Sequence, residues 1–143
     1  MRYSTIEQAL EKEEHIFLQT SGVSMEPLLH HRKSTVMIKK PSEAPKKFDV
    51  VLYKRPAGEY VLHRIVKVRE EDYLICGDNG IYKEPVPRER ILGIMIGFYP
   101  DEEETFISCE DEAYKEYVRT WDRRYIARQA KAWLGRVRRK LRR

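Results

Sequence analysis

The apolar positions of this chain repeat on two different periods. Between His15 and Tyr99 they come in short runs: His15 to Thr20, Ser34 to Lys39 (STVMIK), Phe48 to Lys54 (FDVVLYK), Tyr60 to Val68 (YVLHRIVKV), Tyr73 to Cys76 and Ile91 to Tyr99 (ILGIMIGFY). These runs are rich in β-branched and aromatic residues and are separated by Gly, Pro, Asn and Asp, which predicts strands joined by turns. Arg55-Pro56-Ala57-Gly58 predicts a hairpin between the third and fourth runs. Within the fourth, alternation puts Val61, His63 and Ile65 on one face and Leu62, Arg64 and Val66 on the other. Pro27 interrupts the pattern before Leu28-Leu29, a candidate single turn of helix. Near the N-terminus, Ser4-Thr5-Ile6-Glu7 reads as a capping box, with Ser4 as N-cap of a short helix reaching about Glu14.

From about Asp111 the period changes. Tyr114, Val118, Trp121, Tyr125, Ile126, Ala130, Trp133, Val137 and Leu141 follow helical spacing, which predicts one amphipathic helix, weakened slightly by Gly135. The expected fold is therefore mainly β, with a short N-terminal helix and a C-terminal basic amphipathic helix. The expected division is residues 1–110 for the β domain and 111–143 for the helical tail.

Composition changes this picture in one respect. The 143 residues suit one domain, and 41% hydrophobic with 36% charged is a soluble composition. There is no apolar run of membrane-spanning length, and the polar N-terminus lacks a signal-peptide core, so a cytoplasmic location is expected. Cys76 and Cys109 fit neither a disulfide framework nor a metal-binding spacing. The net charge of +5, however, is unevenly placed. From Arg119 onward eleven Lys or Arg stand against one Asp, so residues 1 to 118 carry a net −5. Three readings of the tail follow: a basic helix lying on an anionic membrane surface, a nucleic-acid contact (the least favoured), or an aromatic stripe packed on the β domain with solvated arginines. Acidic residues near the helix start and arginines near its end also suit the helix dipole.

The candidate chemistry begins with Thr20-Ser21-Gly22-Val23-Ser24-Met25-Glu26-Pro27. A serine hydroxyl needs a base to become a nucleophile near neutral pH. His30 and His31, beside Arg32 and Lys33, read as solvated loop residues. His63 lies inside a strand and is either a half-buried core residue or that base. Gly77-Asp78-Asn79-Gly80 alone is an ordinary turn.

Taken together and in order, Ser-Met-Glu-Pro, Asp-Val-Val, His-Arg-Ile-Val-Lys-Val and Gly-Asp-Asn resemble the signal peptidase family of serine proteases, which share a fold with the LexA-type self-cleaving proteases. The resemblance covers roughly residues 16 to 99. Bacterial signal peptidases usually carry a lysine where this chain has His63, so the likeness is to the archaeal and endoplasmic-reticulum branch, which uses a Ser-His pair. It implies Ser24 as nucleophile and His63 as general base, with no metal and no cofactor. It also implies an acidic residue that orients the histidine. Asp78 of the Gly-Asp-Asn motif and Glu84, six positions later, are both candidates, and Glu84 departs from the aspartate usual there. Gly22 stands where relatives often place an oxyanion-binding hydroxyl, and Ser21 is one position further back. This leaves the backbone N–H of Ser24 as one donor and gives Gly22 a role in the turn through a positive φ. Met25 and Pro27 are expected to shape the bend and line the binding site. The 23 residues before Ser24 are polar, where relatives usually carry a membrane anchor. A cytoplasmic or membrane-surface peptidase, acting on a peptide or on a leader or signal segment, is the expected function. The alternative is a non-catalytic peptide-binding or membrane-surface module on the same fold. LexA-like self-cleavage fits less well, because neither a DNA-binding domain nor a lysine base is evident.

Overall fold

The computed structural model describes residues 3–102 and 105–142. The first helix, α1 (Ile6–Lys12), is capped by Thr5 rather than Ser4: the Thr5 hydroxyl accepts the Gln8 backbone N–H at 3.1 Å. The Ser4 hydroxyl instead donates to the Gln8 side chain at 2.7 Å, which moves the cap one residue along.

The strands are β1 (Ile16–Gln19), β2 (Thr35–Lys39), β3 (Val50–Lys54), β4 (Tyr60–Val68), β5 (Asp72–Cys76), β6 (Glu84–Pro87), β7 (Ile91–Tyr99) and β8 (Ile107–Ser108). They form one antiparallel sheet in the order β1-β2-β7-β3-β4-β5-β6, with β8 on β7. The six apolar runs are all strands. The sequence pattern does not announce β6, with sequence Glu-Pro-Val-Pro, or the two-residue β8. Two prolines weaken the strand signal of β6, and both are tolerated because β6 ends the strand order and pairs only with β5.

Register explains which side chains meet. Val51 lies opposite His63, and Tyr53 opposite Val61. On the next pairs, Ile65 lies opposite Ile75 and Ile75 opposite Glu84. Cross-strand partners share a face, so His63, Tyr53 and Glu84 project on the same side as Val51, Val61, Ile65, Tyr73, Ile75 and Val86, one of the two main apolar clusters. The alternation expected for β4 holds. The opposite face packs Val36, Ile38, Val50, Leu52, Met95 and Phe98 against Leu10 of α1 and against Met25 and Leu29 of the β1–β2 loop.

The expected single C-terminal helix is two helices, α2 (Glu112–Arg119) and α3 (Trp121–Leu141). The break is at Thr120, whose ψ of 9° leaves the helical range and whose hydroxyl donates back to the Tyr117 carbonyl. Packing runs across residue 110. Tyr114 belongs to the same cluster as Phe98, while Trp121 and Tyr125, stacked at 5.1 Å between centroids, bury against Val66 and Cys76. Burial ends there: Ile126, Trp133 and Leu141 of α3 are 63%, 57% and 81% exposed. Among the described residues no helix is long and apolar enough to cross a membrane. Both cysteines are free, and burial pushes each thiol up to about 11.

Candidate functional site

Ser24 lies on the loop between β1 and β2, and this loop is closed at its base. Thr20 N–H donates to the Ser34 carbonyl at 3.0 Å and Arg32 N–H to the Thr20 carbonyl at 2.8 Å. Ser34 is fully buried; its hydroxyl donates to the Pro100 carbonyl and accepts from His30 N–H. Met25 and Leu29 anchor the loop by entering the core. At its exposed tip Gly22 adopts φ +83°, a conformation that favours glycine. Its N–H donates to His31 Nδ1 at 2.5 Å, so His31, though exposed, braces the loop rather than simply facing solvent. Pro27 is exposed after a cis peptide bond and does not line the cleft described below, whereas Met25 does.

β4 brings His63 to Ser24. His63 Nε2 and Ser24 Oγ are 3.0 Å apart, though 39 residues separate them in the chain. On the other side of the ring, His63 Nδ1 is 3.5 Å from the Tyr53 hydroxyl, at the outer limit of a hydrogen bond. Tyr53 donates to Glu84 Oε1 at 2.8 Å, and Arg55 grips both Glu84 oxygens at 2.9 and 3.1 Å. The five groups form a consistent series. Burial and the Glu84 charge raise the Tyr53 pKa, keeping it a neutral phenol. Its O–H points to Glu84, which leaves its oxygen to accept from Nδ1–H. That tautomer leaves Nε2 bare to accept the Ser24 proton. The hydrogen bonds from Arg55 hold the Glu84 carboxyl below its ordinary pKa, against the opposing effect of burial. Burial, then the Arg55 charge, lowers the His63 pKa, while Glu84 and Asp78 pull it the other way.

Asp78 has a different task. Its carboxylate receives Arg64 Nε and the second guanidinium nitrogen at 2.8 and 2.9 Å, Tyr117 O–H at 2.8 Å and Trp121 N–H at 2.8 Å. These donors occupy both oxygens, and both partners of the ion pair are fully buried. Burial alone would raise the Asp78 pKa, but the Arg64 charge and these hydrogen bonds outweigh it and the pKa is lowered. Of the two acidic candidates, then, Glu84 connects to His63 through Tyr53, and Asp78 is bound to Arg64 and the C-terminal helices.

The Gly-Asp-Asn turn nevertheless serves the serine. Asn79 N–H donates to the Ser24 carbonyl at 2.9 Å, and its side chain donates to the Val23 carbonyl at 3.1 Å. Gly77 lies directly beneath: a Cβ there would fall 2.5 Å from the Ser24 carbonyl oxygen and 3.3 Å from His63 Nε2. The turn is tied in turn to α3, by Tyr125 O–H to the Ile81 carbonyl and Arg128 Nε to the Gly80 carbonyl, both at 2.8 Å.

Ser24 and His63 open on a cleft of about 450 Å³, walled by Leu18, Leu29, Val36, Leu52 and Leu62 with Ile6 of α1. Its rim includes Gln19, Thr20 and Ser21, the end of β1 and the residues after it. β1 is the other end of the strand order and, among the described residues, pairs only with β2. Of the residues brought together here, Ser24, His63 and Glu84 are candidates from sequence, whereas Tyr53 and Arg55 are not. The signal for Tyr53 was present: hairpin pairing of the third and fourth strands puts it one step from His63 on the same face. Nothing in the sequence marks Arg55. Among the described residues no group of His, Cys, Asp and Glu is placed to hold a metal ion. Comparison of the chain with known protein families, curated proteins and solved structures finds no match.

Proposed function

We propose that this protein is a serine endopeptidase of the signal peptidase-like kind, with Ser24 as nucleophile and His63 as general base. The observation that carries the reading is the 3.0 Å approach of His63 Nε2 to an exposed Ser24 Oγ at the mouth of an apolar cleft. The peptide adds to the free edge of β1 in extended form and places an apolar side chain among Leu18, Leu52 and Leu62. Ser24 Oγ attacks the scissile carbonyl carbon as His63 Nε2 takes its proton. The oxyanion that forms is met by the Ser24 backbone N–H, a donor worth about 3 kcal/mol in such sites. The carbon–nitrogen bond then breaks, and His63 returns the proton to the leaving amine. Water, deprotonated by His63, attacks the acyl-enzyme and releases the carboxylate and Ser24.

Digestion of a peptide library, with products identified by mass spectrometry, tests the reading. Cuts that follow apolar residues and vanish in Ser24→Ala support it. A library left intact by the wild type favours the non-catalytic peptide-binding module, which would use the same cleft without proton transfer.

A further inference from the structure

None of the described residues after Tyr125 is buried, although the helix continues to Leu141. Its large apolar side chains there are Ile126, Trp133, Leu134, Val137 and Leu141. At 3.6 residues per turn they fall within about 100° of one face. Trp121, Tyr125 and Arg128, which hold the helix to the domain, centre about 160° away around the axis. The stripe is thus turned away from the sheet, and among the described residues nothing buries it.

The surrounding charge identifies what can cover it. From Ile126 to Arg143 there are eight Lys or Arg and no Asp or Glu, and none of the six within the helix interrupts the stripe. A second copy packed stripe to stripe would bring eight cations against eight. A nucleic acid would engage the cations but leave the tryptophan and leucines in water. An anionic lipid surface satisfies both: headgroups take the arginines and lysines, and the acyl boundary takes the stripe.

We propose that α3 from Ile126 onward lies flat on an anionic bilayer, with Trp133, Leu134 and Leu141 entering the acyl boundary and the cations among the headgroups. Because the first turns of α3 also hold the Gly80–Ile81 turn, membrane contact by the helix tethers the domain that carries the Ser24 cleft. The assignment does not rest on the peptidase reading, since it uses no residue of that site.

The test is sedimentation of the full chain with vesicles of phosphatidylcholine alone and of phosphatidylcholine mixed with phosphatidylglycerol. Binding is expected to the mixed vesicles only, to fall about tenfold or more when salt is raised well above physiological strength, and to bring a blue shift in Trp133 fluorescence. The triple variant Trp133→Ser, Leu134→Ser, Leu141→Ser changes only exposed positions. It is expected to lower the bound fraction by about tenfold or more. Absence of binding to the mixed vesicles would overturn the proposal. So would equal binding by the triple variant, which would mean a contact made by charge alone, as with nucleic acid. A stable dimer by light scattering that the triple variant abolishes would assign the stripe to a second copy instead.

Discussion

His63 must be neutral to take a proton from Ser24, and its surroundings hold it so. Burial and the Arg55 charge bring its pKa below the ordinary 6.5. A base is active when deprotonated, so the acylation rate rises with pH and reaches half its plateau below pH 6.5. Glu84 acts in the other direction, favouring the imidazolium that forms as Ser24 attacks. Glu84→Gln therefore moves the half-plateau to still lower pH and reduces the plateau rate by about tenfold, equivalent to about 1.4 kcal/mol. Tyr53→Phe removes the group between them and lowers the plateau similarly. Stopped-flow acylation across pH 4 to 9, a range spanning the ordinary histidine pKa, checks all three; an unchanged profile in Glu84→Gln would remove Glu84 from the account. At this scale motif order singled out Ser24 and His63, which the fold brings within 3.0 Å of each other. It left Asp78 and Glu84 unranked, because that choice depends on which carboxylate Arg64 occupies. Both are set by cross-strand register rather than by spacing along the chain.

Among the elements, the β1–β2 loop and the Gly77–Gly80 turn work as one unit. The loop places Ser24, and the turn fixes it through the Asn79 bonds to the Ser24 and Val23 carbonyls. Gly77 is required for the absence of a side chain, since its φ lies outside the left-handed region and a Cβ would collide with the Ser24 carbonyl. Gly77→Ala displaces the serine from His63, and a shift of that kind costs about 100-fold in rate. Acylation kinetics beside circular dichroism check this: the rate falls while the strand signal is kept. The six strands with unbroken apolar runs were legible from pattern alone. β6 was not, because Pro85 and Pro87 obscure it, and with it went the expected partner of β5 and the strand position of Glu84. The helix break at Thr120 was also hidden, since apolar spacing continues through it.

At the scale of the whole molecule, the Asp78–Arg64 pair joins sheet to helices. Arg64 projects from β4 and also donates to the Phe48 carbonyl and the Tyr114 hydroxyl, while Asp78 receives Tyr117 and Trp121. Neutralising one partner leaves a buried, uncompensated charge, so Asp78→Asn is expected to cost roughly 3–5 kcal/mol of stability. Urea unfolding measures it; a loss below about 1 kcal/mol would contradict a bridging role, given that range. The aromatic stripe that opens α3 proved to be divided between two environments. Trp121 and Tyr125 close the core, and Trp133 with its neighbours faces outward. Periodicity marks both alike, because spacing identifies an apolar face but not what covers it.

Activation of Ser24 by His63 is read out by covalent labelling. Wild type, Ser24→Ala and His63→Ala are each incubated with a serine-acylating probe, and their intact masses are read. A single adduct is expected on the wild type, mapped to Ser24 and lost in both variants. An adduct that persists in His63→Ala at the wild-type rate, or that maps to another residue, would contradict it.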